Sequence, residues 1–209
     1  MLTLAESTAR PADRDGTHAW LHRPGLVIAS IEDHDGPVDA PSDLGDARIR
    51  LRPITDEDRE PLGAILAEPE VGRWWVHDDV PSTLDGLFED DGEVRMTILV
   101  EDAVAGLIQY VEETTPDYRH AGIDLFAGAA WQGRGIGPDA IRLVARHLFD
   151  VRGHHRLTID PAAANLRAIR AYEKVGFRPV GVMRSYERGA DGTWHDGLLM
   201  DLLREEFEA

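Results

Sequence analysis

The chain has 209 residues, no cysteine, and 39 acidic against 22 basic residues, a net charge of −17. That charge argues against nucleic acid or an anionic membrane as partner and suits a cationic ligand, although it also serves solubility; the absence of cysteine removes disulfides and thiolate chemistry. No apolar run approaches the roughly 20 residues of a membrane helix, and residues 1–16 lack a basic-then-apolar signal, so a cytoplasmic protein is expected, monomer or homodimer, with no membrane or nucleic-acid partner.

Residues 1–46 are rich in Asp, Pro and Gly and read as an N-terminal extension, partly loose, with one possible strand over 26–31. The remainder, 47–209, reads as a single domain. Arg48 to Arg52 alternates like a half-buried strand. Thr55 and Asp58 have the spacing of a helix start, and the helix runs to about Ala67 with Leu62, Ile65 and Leu66 on one face. Pro69 opens a second short helix ending near Trp74 and Trp75. Val94–Glu101 and Val104–Glu113 read as strands joined by a tight turn, and Ile123–Ala130 as a third. Pro138–Asp150 is an amphipathic helix, with Pro138 expected at its first position. A short strand at Arg156–Asp160, a helix over Asn165–Val175 closed by Gly176, and strands at Val180–Glu187 and Trp194–Leu203 complete the order. Strands and helices in this order predict an α/β or α+β mixed sheet with helices on both faces.

The stretch Trp131-Gln132-Gly133-Arg134-Gly135-Ile136-Gly137-Pro138-Asp139 joins the third strand to the amphipathic helix. A glycine-rich turn feeding a helix N-terminus presents unpaired N–H groups and a favourable dipole to an anion such as a pyrophosphate; a plain tight bend is the alternative. The spacing is not the G-x-G-x-x-G of a dinucleotide fold, and Gly137 is followed by Pro138 rather than the Lys of a nucleotide-triphosphate loop.

Here the chain resembles the GCN5-related N-acetyltransferases (GNAT). Gln132-x-x-Gly135-x-Gly137 is similar to their acyl-CoA pyrophosphate motif, and Asn165-x-x-Ala168-x-x-x-Tyr172-x-x-x-Gly176-Phe177 to their asparagine and tyrosine helix. The resemblance covers about 48–206 and implies a GNAT-like fold, a twisted and mostly antiparallel central sheet with helices on both faces, and acetyl-CoA as cofactor. Within the family, Glu112-Glu113-Thr114-x-Pro116, Gly122-Ile123-Asp124 and Asp160-Pro161-x-x-x-Asn165 look most like the aminoglycoside 6′-N-acetyltransferases. This implies acetylation of a cationic amine, foremost an aminoglycoside 6′-amine, and hence antibiotic resistance. The same chemistry on a siderophore hydroxylamine or a protein N-terminal amine is the first alternative, and a non-catalytic CoA-binding module the second.

The resemblance also assigns roles. Leu125, Phe126 and Ala127, the turn Gln132, Gly133, Arg134, Gly135, Ile136 and Gly137, and Asn165 with Ala168 would hold the cofactor. Asn165 serves equally as a helix N-cap, Arg134 as a solvated arginine, and Tyr172 either donates to the leaving thiolate or is core. Asp124 is the candidate base, or else a carboxylate that only binds an ammonium group. Trp75, Asp78, Asp79, Glu112, Glu113, Asp124 and Asp160 are the expected acceptor-binding residues, forming an acidic cleft if they converge. No histidine has ligand-like spacing, so no metal is assigned.

Overall fold

The computed structural model describes residues 40–208, so the possible strand at 26–31 lies outside the described residues. One eight-stranded sheet runs in the order β1-β2-β3-β4-β5-β6-β8-β7. Its strands are β1 (Leu44–Gly45), β2 (Arg50–Pro53), β3 (Val94–Val100), β4 (Ala103–Glu113), β5 (His120–Ala127), β6 (Arg156–Ile159), β7 (Arg178–Arg188) and β8 (Trp194–Leu203). All neighbours are antiparallel except β5 and β6. β1 lies within the expected N-terminal extension and pairs with β2.

Helices α1 (Arg59–Leu66), α2 (Pro69–Trp75) and α3 (Val80–Gly86) cover one face, where Leu62, Leu66, Val71 and Leu87 pack on Leu107 and Phe126. Helices α4 (Ile136–Arg146) and α5 (Leu166–Glu173) belong to the larger core on the other face, with Ile108, Tyr110, Ile123 and Leu125. The alternation of β4 and β5 between these two cores is the period-two rule of a strand. Burying this apolar surface on both faces supplies the main driving force for the fold.

The expected Thr55–Asp58 capping geometry is present, but it opens a 3-10 turn over Asp56–Asp58 that leads into α1. Asp58, 1% exposed, accepts from the Thr55 amide at 2.9 Å, from Thr97 at 2.8 Å, and from both arms of Arg52 at 2.7 Å. The two tight ends at Glu101 and Asp102 both take positive φ, as a two-residue hairpin requires.

Several boundaries differ from expectation; β5 begins at His120 rather than Ile123, β7 at Arg178 rather than Val180, and three others bear on the site. The third strand ends at Ala127 rather than Ala130, because Ala129–Trp131 form a 3-10 turn whose first amide is held by Glu68 at 2.6 Å. The glycine-turn helix begins at Ile136, so Pro138 is third rather than first in it; its missing N–H is still among the first-turn donors that have no helical acceptor. After Arg146 the chain continues as a wider π-turn over His147–Val151. Helix α3 was not anticipated, although its signals, Asp79 as N-cap and Pro81 in the first turn, stand in the sequence.

Candidate active site

The parallel strands β5 and β6 pair only at Ala121↔Leu157 and Gly122↔Thr158. β5 runs on to Ala127, bonded to β4 on its other side through Gly106↔Ala127, while β6 stops at Ile159. The sheet therefore splays open beyond Gly122. Into this gap opens a cleft of about 800 Å³, lined by α2, the end of β5, the glycine turn, the start of α4, the Asp160–Ala162 corner, α5 and Glu187 of β7.

One end of the cleft is built from backbone and cations. Gly133 and Gly135 take φ of 74° and 87°, a region that side-chain-bearing residues avoid, so the tight path requires glycine. The Gln132 side chain donates from Nε2 to the Ala127 carbonyl at 2.7 Å and ties the turn to the end of β5. The first helical bond in α4 runs from the Asp139 amide to the Gly135 carbonyl, so the preceding amides have no helical acceptor. Arg142, Arg167, Arg170 and Lys174 line this end. Arg134 stacks over the Trp131 ring at 5.6 Å and is not among the lining residues. This donor-rich turn, with no side chain at Gly133, Gly135 or Gly137, fits a pyrophosphate.

The other end is acidic and aromatic. Asp124, Asp160 and Glu187 line it, with Trp74, Trp75 and Glu70 of α2. Trp75 meets Phe126 edge-on at 4.8 Å. Burial pushes the Asp124 carboxyl well above the usual carboxylate range, and the neighbouring Asp160 charge pushes it further, against the Leu125 N–H bond. Glu187 is also raised, by burial first; the His77 charge opposes this and Asp160 adds to it. Tyr172, 7% exposed on α5, is raised by burial and by the charges of Asp124 and Asp160, so it stays protonated. The ends of β5, β6 and β7 and helix α5 thus meet at one point.

Asn165 both lines the cleft and caps α5, accepting from the Ala168 amide at 3.2 Å. Leu125, Phe126, Ala127, Gln132, Gly133, Gly135, Ile136, Gly137 and Ala168 also line the cleft. The Leu125 amide donates to the Asp124 carboxylate at 2.9 Å, which couples that backbone group to the candidate base.

Four expected acceptor residues are not among the lining residues. Asp79 caps α3, accepting from the Ser82 amide at 2.7 Å, and Asp78 precedes it in the same loop. Glu113 closes the turn after β4, accepting from the Thr115 amide at 2.7 Å. Glu112 corrects the expectation most clearly. It is 4% exposed, and accepts from Arg152 at 3.0 Å and pairs with His154 at 2.6 Å. The reason is alternation: Gln109 is the register partner of Asp124, so Glu112 points to the opposite face.

Several cleft residues escaped the sequence reading, among them Glu187 and the basic Arg142, Arg167, Arg170 and Lys174, as did one contact outside the lining, that of His77. Glu187 sits in a strand whose pattern carries no signal for a site. His77 donates from Nδ1 to the Arg188 carbonyl at 2.9 Å, joining the loop after α2 to β7.

A splayed sheet with a glycine-rich turn at one end of the gap has the form to take an acyl-CoA, and comparison with known proteins bears on its class. A family model described as an acetyltransferase (GNAT) domain matches residues 48–178. The aminoglycoside N(6′)-acetyltransferase type 1 of Klebsiella pneumoniae is 30% identical over 158 residues, covering 65% of this chain and 76% of that protein. Spermidine N(1)-acetyltransferase of Escherichia coli K12 is 23% identical over 167 residues, covering 77% of this chain and 89% of that protein. The structure of AAC(6′)-Ib in complex with paromomycin and acetyl-CoA superposes with a TM-score of 0.62 at 24% identity, covering 76% of this chain and 95% of that one. The chain belongs to the GNAT acetyltransferases, whose acyl donor is acetyl-CoA. Its fold is theirs: a mixed, mostly antiparallel sheet with helices. Among the described residues no helix is long and apolar enough to cross a membrane.

Proposed function

We propose that the protein acetylates a primary amine of a small polycationic molecule, with an aminoglycoside 6′-amine as the leading acceptor. The observation that carries this reading is the convergence of Asp124, Asp160 and Glu187 beside a tryptophan wall at the mouth of the cleft. Each exposed ammonium–carboxylate pair contributes only about 0–1 kcal/mol, so affinity requires a ligand that meets several at once. Trp74 and Trp75 supply a flat apolar face, or a cation–π surface, for a ring-bearing cation. The likeness to the Klebsiella enzyme supports the aminoglycoside reading, and the spermidine relative keeps a linear polyamine as the second.

The acyl donor supplies an activated thioester; the residues supply position and proton transfer. The glycine turn and the basic residues hold the pyrophosphate, and the gap beyond Gly122 admits the pantetheine arm beside β5. The ammonium gives one proton to solvent on entering the cleft, and Asp124 removes the second as the nitrogen attacks, for which its raised pKa makes it a better base than an ordinary carboxylate. Tyr172 donates a hydrogen bond to the leaving sulfur. Burial, with the charges of Asp124 and Asp160, holds the phenol firmly protonated, so it stays a donor to the thiolate rather than surrendering its proton. The proton that ends on the thiol therefore comes from Asp124, which returns to its basic form and closes the cycle.

The test is an acceptor screen with acetyl-CoA, read by free thiol release. Kanamycin or tobramycin should be turned over with a higher kcat/KM than spermidine or an N-terminal peptide. A preference for spermidine moves the assignment to a polyamine, and turnover of peptide amines alone removes the small-cation reading.

A further inference from the structure

The turn between β1 and β2 sends one side chain across to the glycine turn. Asp46 shapes it, accepting from the Arg48 and Ile49 amides at 2.6 and 3.0 Å. The Arg48 guanidinium then forks. One arm pairs with the Asp139 carboxylate, and the other donates to the Arg134 carbonyl at 2.8 Å. Arg48 is not among the residues that line the cleft, whereas Gly135 and Asp139 are.

Both contacts bear on anion binding. A trans peptide places its N–H opposite its C=O. Holding the Arg134 carbonyl toward Arg48 therefore turns the Gly135 N–H the other way. Asp139 lies in the first turn of α4, where it suits the helix dipole but places a negative charge beside any bound phosphate. Arg48 on one oxygen, and Arg142 at 3.4 Å on the other, offset that charge. A carbon placed on Gly135 would stand 3.4 Å from the Arg48 Nη1, so the guanidinium packs directly behind the turn.

We propose that Arg48 is a positioning residue for the acetyl-CoA pyrophosphate: it orients the Arg134–Gly135 peptide and neutralises Asp139, without touching the cofactor. The inference rests on the reading that the glycine turn holds the pyrophosphate. It makes the opening turn of the sheet part of the cofactor site.

The experiment is calorimetric binding of CoA to the full chain. A charge-assisted hydrogen bond is typically equivalent to a tenfold or larger change in an equilibrium constant, so Arg48→Ala should raise Kd by about tenfold. Arg48→Lys, which keeps the charge but not the fork, should fall between it and the wild type. Asp139→Asn alone should change Kd by no more than about twofold, and Arg48→Ala combined with Asp139→Asn should return to within about threefold of wild type, because the opposed charge is gone. A role limited to holding the fold would not be rescued by removing the partner. Gly133→Val tests the underlying reading, since at a φ of 74° a side chain distorts the turn itself while meeting no atom of Arg48. If Gly133→Val weakens CoA and Arg48→Ala does not, or Asp139→Asn fails to rescue, the role of Arg48 is overturned. If neither Gly133→Val nor Arg48→Ala alters Kd, the pyrophosphate reading itself fails. Should Arg48→Ala not fold, Arg48→Lys with and without Asp139→Asn carries the same comparison.

Discussion

The two ends of the cleft are made in different ways. The glycine-turn end is built by one continuous stretch, Gln132 to Asp139, whose positive-φ glycines and first-turn amides without a helical acceptor make it a backbone site. The acidic end is assembled from side chains on α2, β5, the end of β6 and β7, residues far apart in the chain. A local backbone site depends on conformations that only particular residues adopt, so its composition is constrained. A site of converging side chains is constrained only by the fold, so its residues can vary and its ligand with them. The same division separates what is common to GNAT acetyltransferases, the acyl donor, from what differs between the aminoglycoside and spermidine relatives, the acceptor.

The largest expected effect tests whether the acidic end does chemistry or only binding. If Asp124 is the base, Asp124→Asn should lower kcat by roughly 10²- to 10⁴-fold, the usual contribution of a general base, with the Kd for CoA nearly unchanged. A fall in acceptor affinity with kcat preserved would make Asp124 an ammonium ligand and leave the acidic end without a base.

Next in size is Glu187→Gln. It removes one carboxylate from the acceptor end without disturbing the glycine turn, so acceptor KM should rise by about three- to fivefold and the KM for acetyl-CoA should stay within about twofold. Equal changes in both constants would show that the two ends are not independent.

A smaller effect is a shift in pH dependence. Burial and the Asp160 charge raise the Asp124 carboxyl, and a base works only when deprotonated, so activity should fall as pH drops through that raised value. Asp160→Asn removes the largest of the charges that act with burial, those of Glu93 and Glu187 remaining. The acid limb of kcat/KM should therefore move to lower pH; a limb that moves up or stays would mean Asp160 does not act on Asp124.

The sequence showed the first end and blurred the second for the same physical reason. Gln132, Gly133, Gly135 and Gly137 are adjacent in the chain, and their spacing reports their geometry directly. Arg48, from the far end of the chain, braces the same turn and left no local trace. At the acidic end, Asp124 and Asp160 were legible because each adjoins a recognisable motif. Glu187 stood in a featureless strand, and only the order of β6, β8 and β7 brings it to the cleft. The missed helix α3 explains Asp79: its carboxylate is spent on capping, a role that Asp shares with binding and that proximity to Trp75 cannot distinguish.

Glu112 gives the smallest expected effect on kinetics and separates the acidic end from acidity in general. By residue type and proximity to Glu113 it belonged with the acceptor carboxylates; by strand parity it belongs to the opposite face. Burial pushes its carboxyl up, but hydrogen bonds from His154 and Arg152 and the Arg152 charge outweigh this and hold it below its usual value. A carboxylate with a lowered folded pKa adds stability above its unfolded pKa, near ~4.3, and that stability is lost as pH falls through the folded value. Glu112→Gln should therefore cost about 2 kcal/mol at neutral pH in urea unfolding, the scale of hydrogen bonds to a charged group. The difference from wild type should shrink as the pH is taken below about 4, where the wild-type carboxylate protonates as well. Neither the KM for acceptor nor the Kd for CoA should move. A rise in acceptor KM would place Glu112 in the site despite its parity, and the acidic end would then reach through the sheet rather than lie on one face of it.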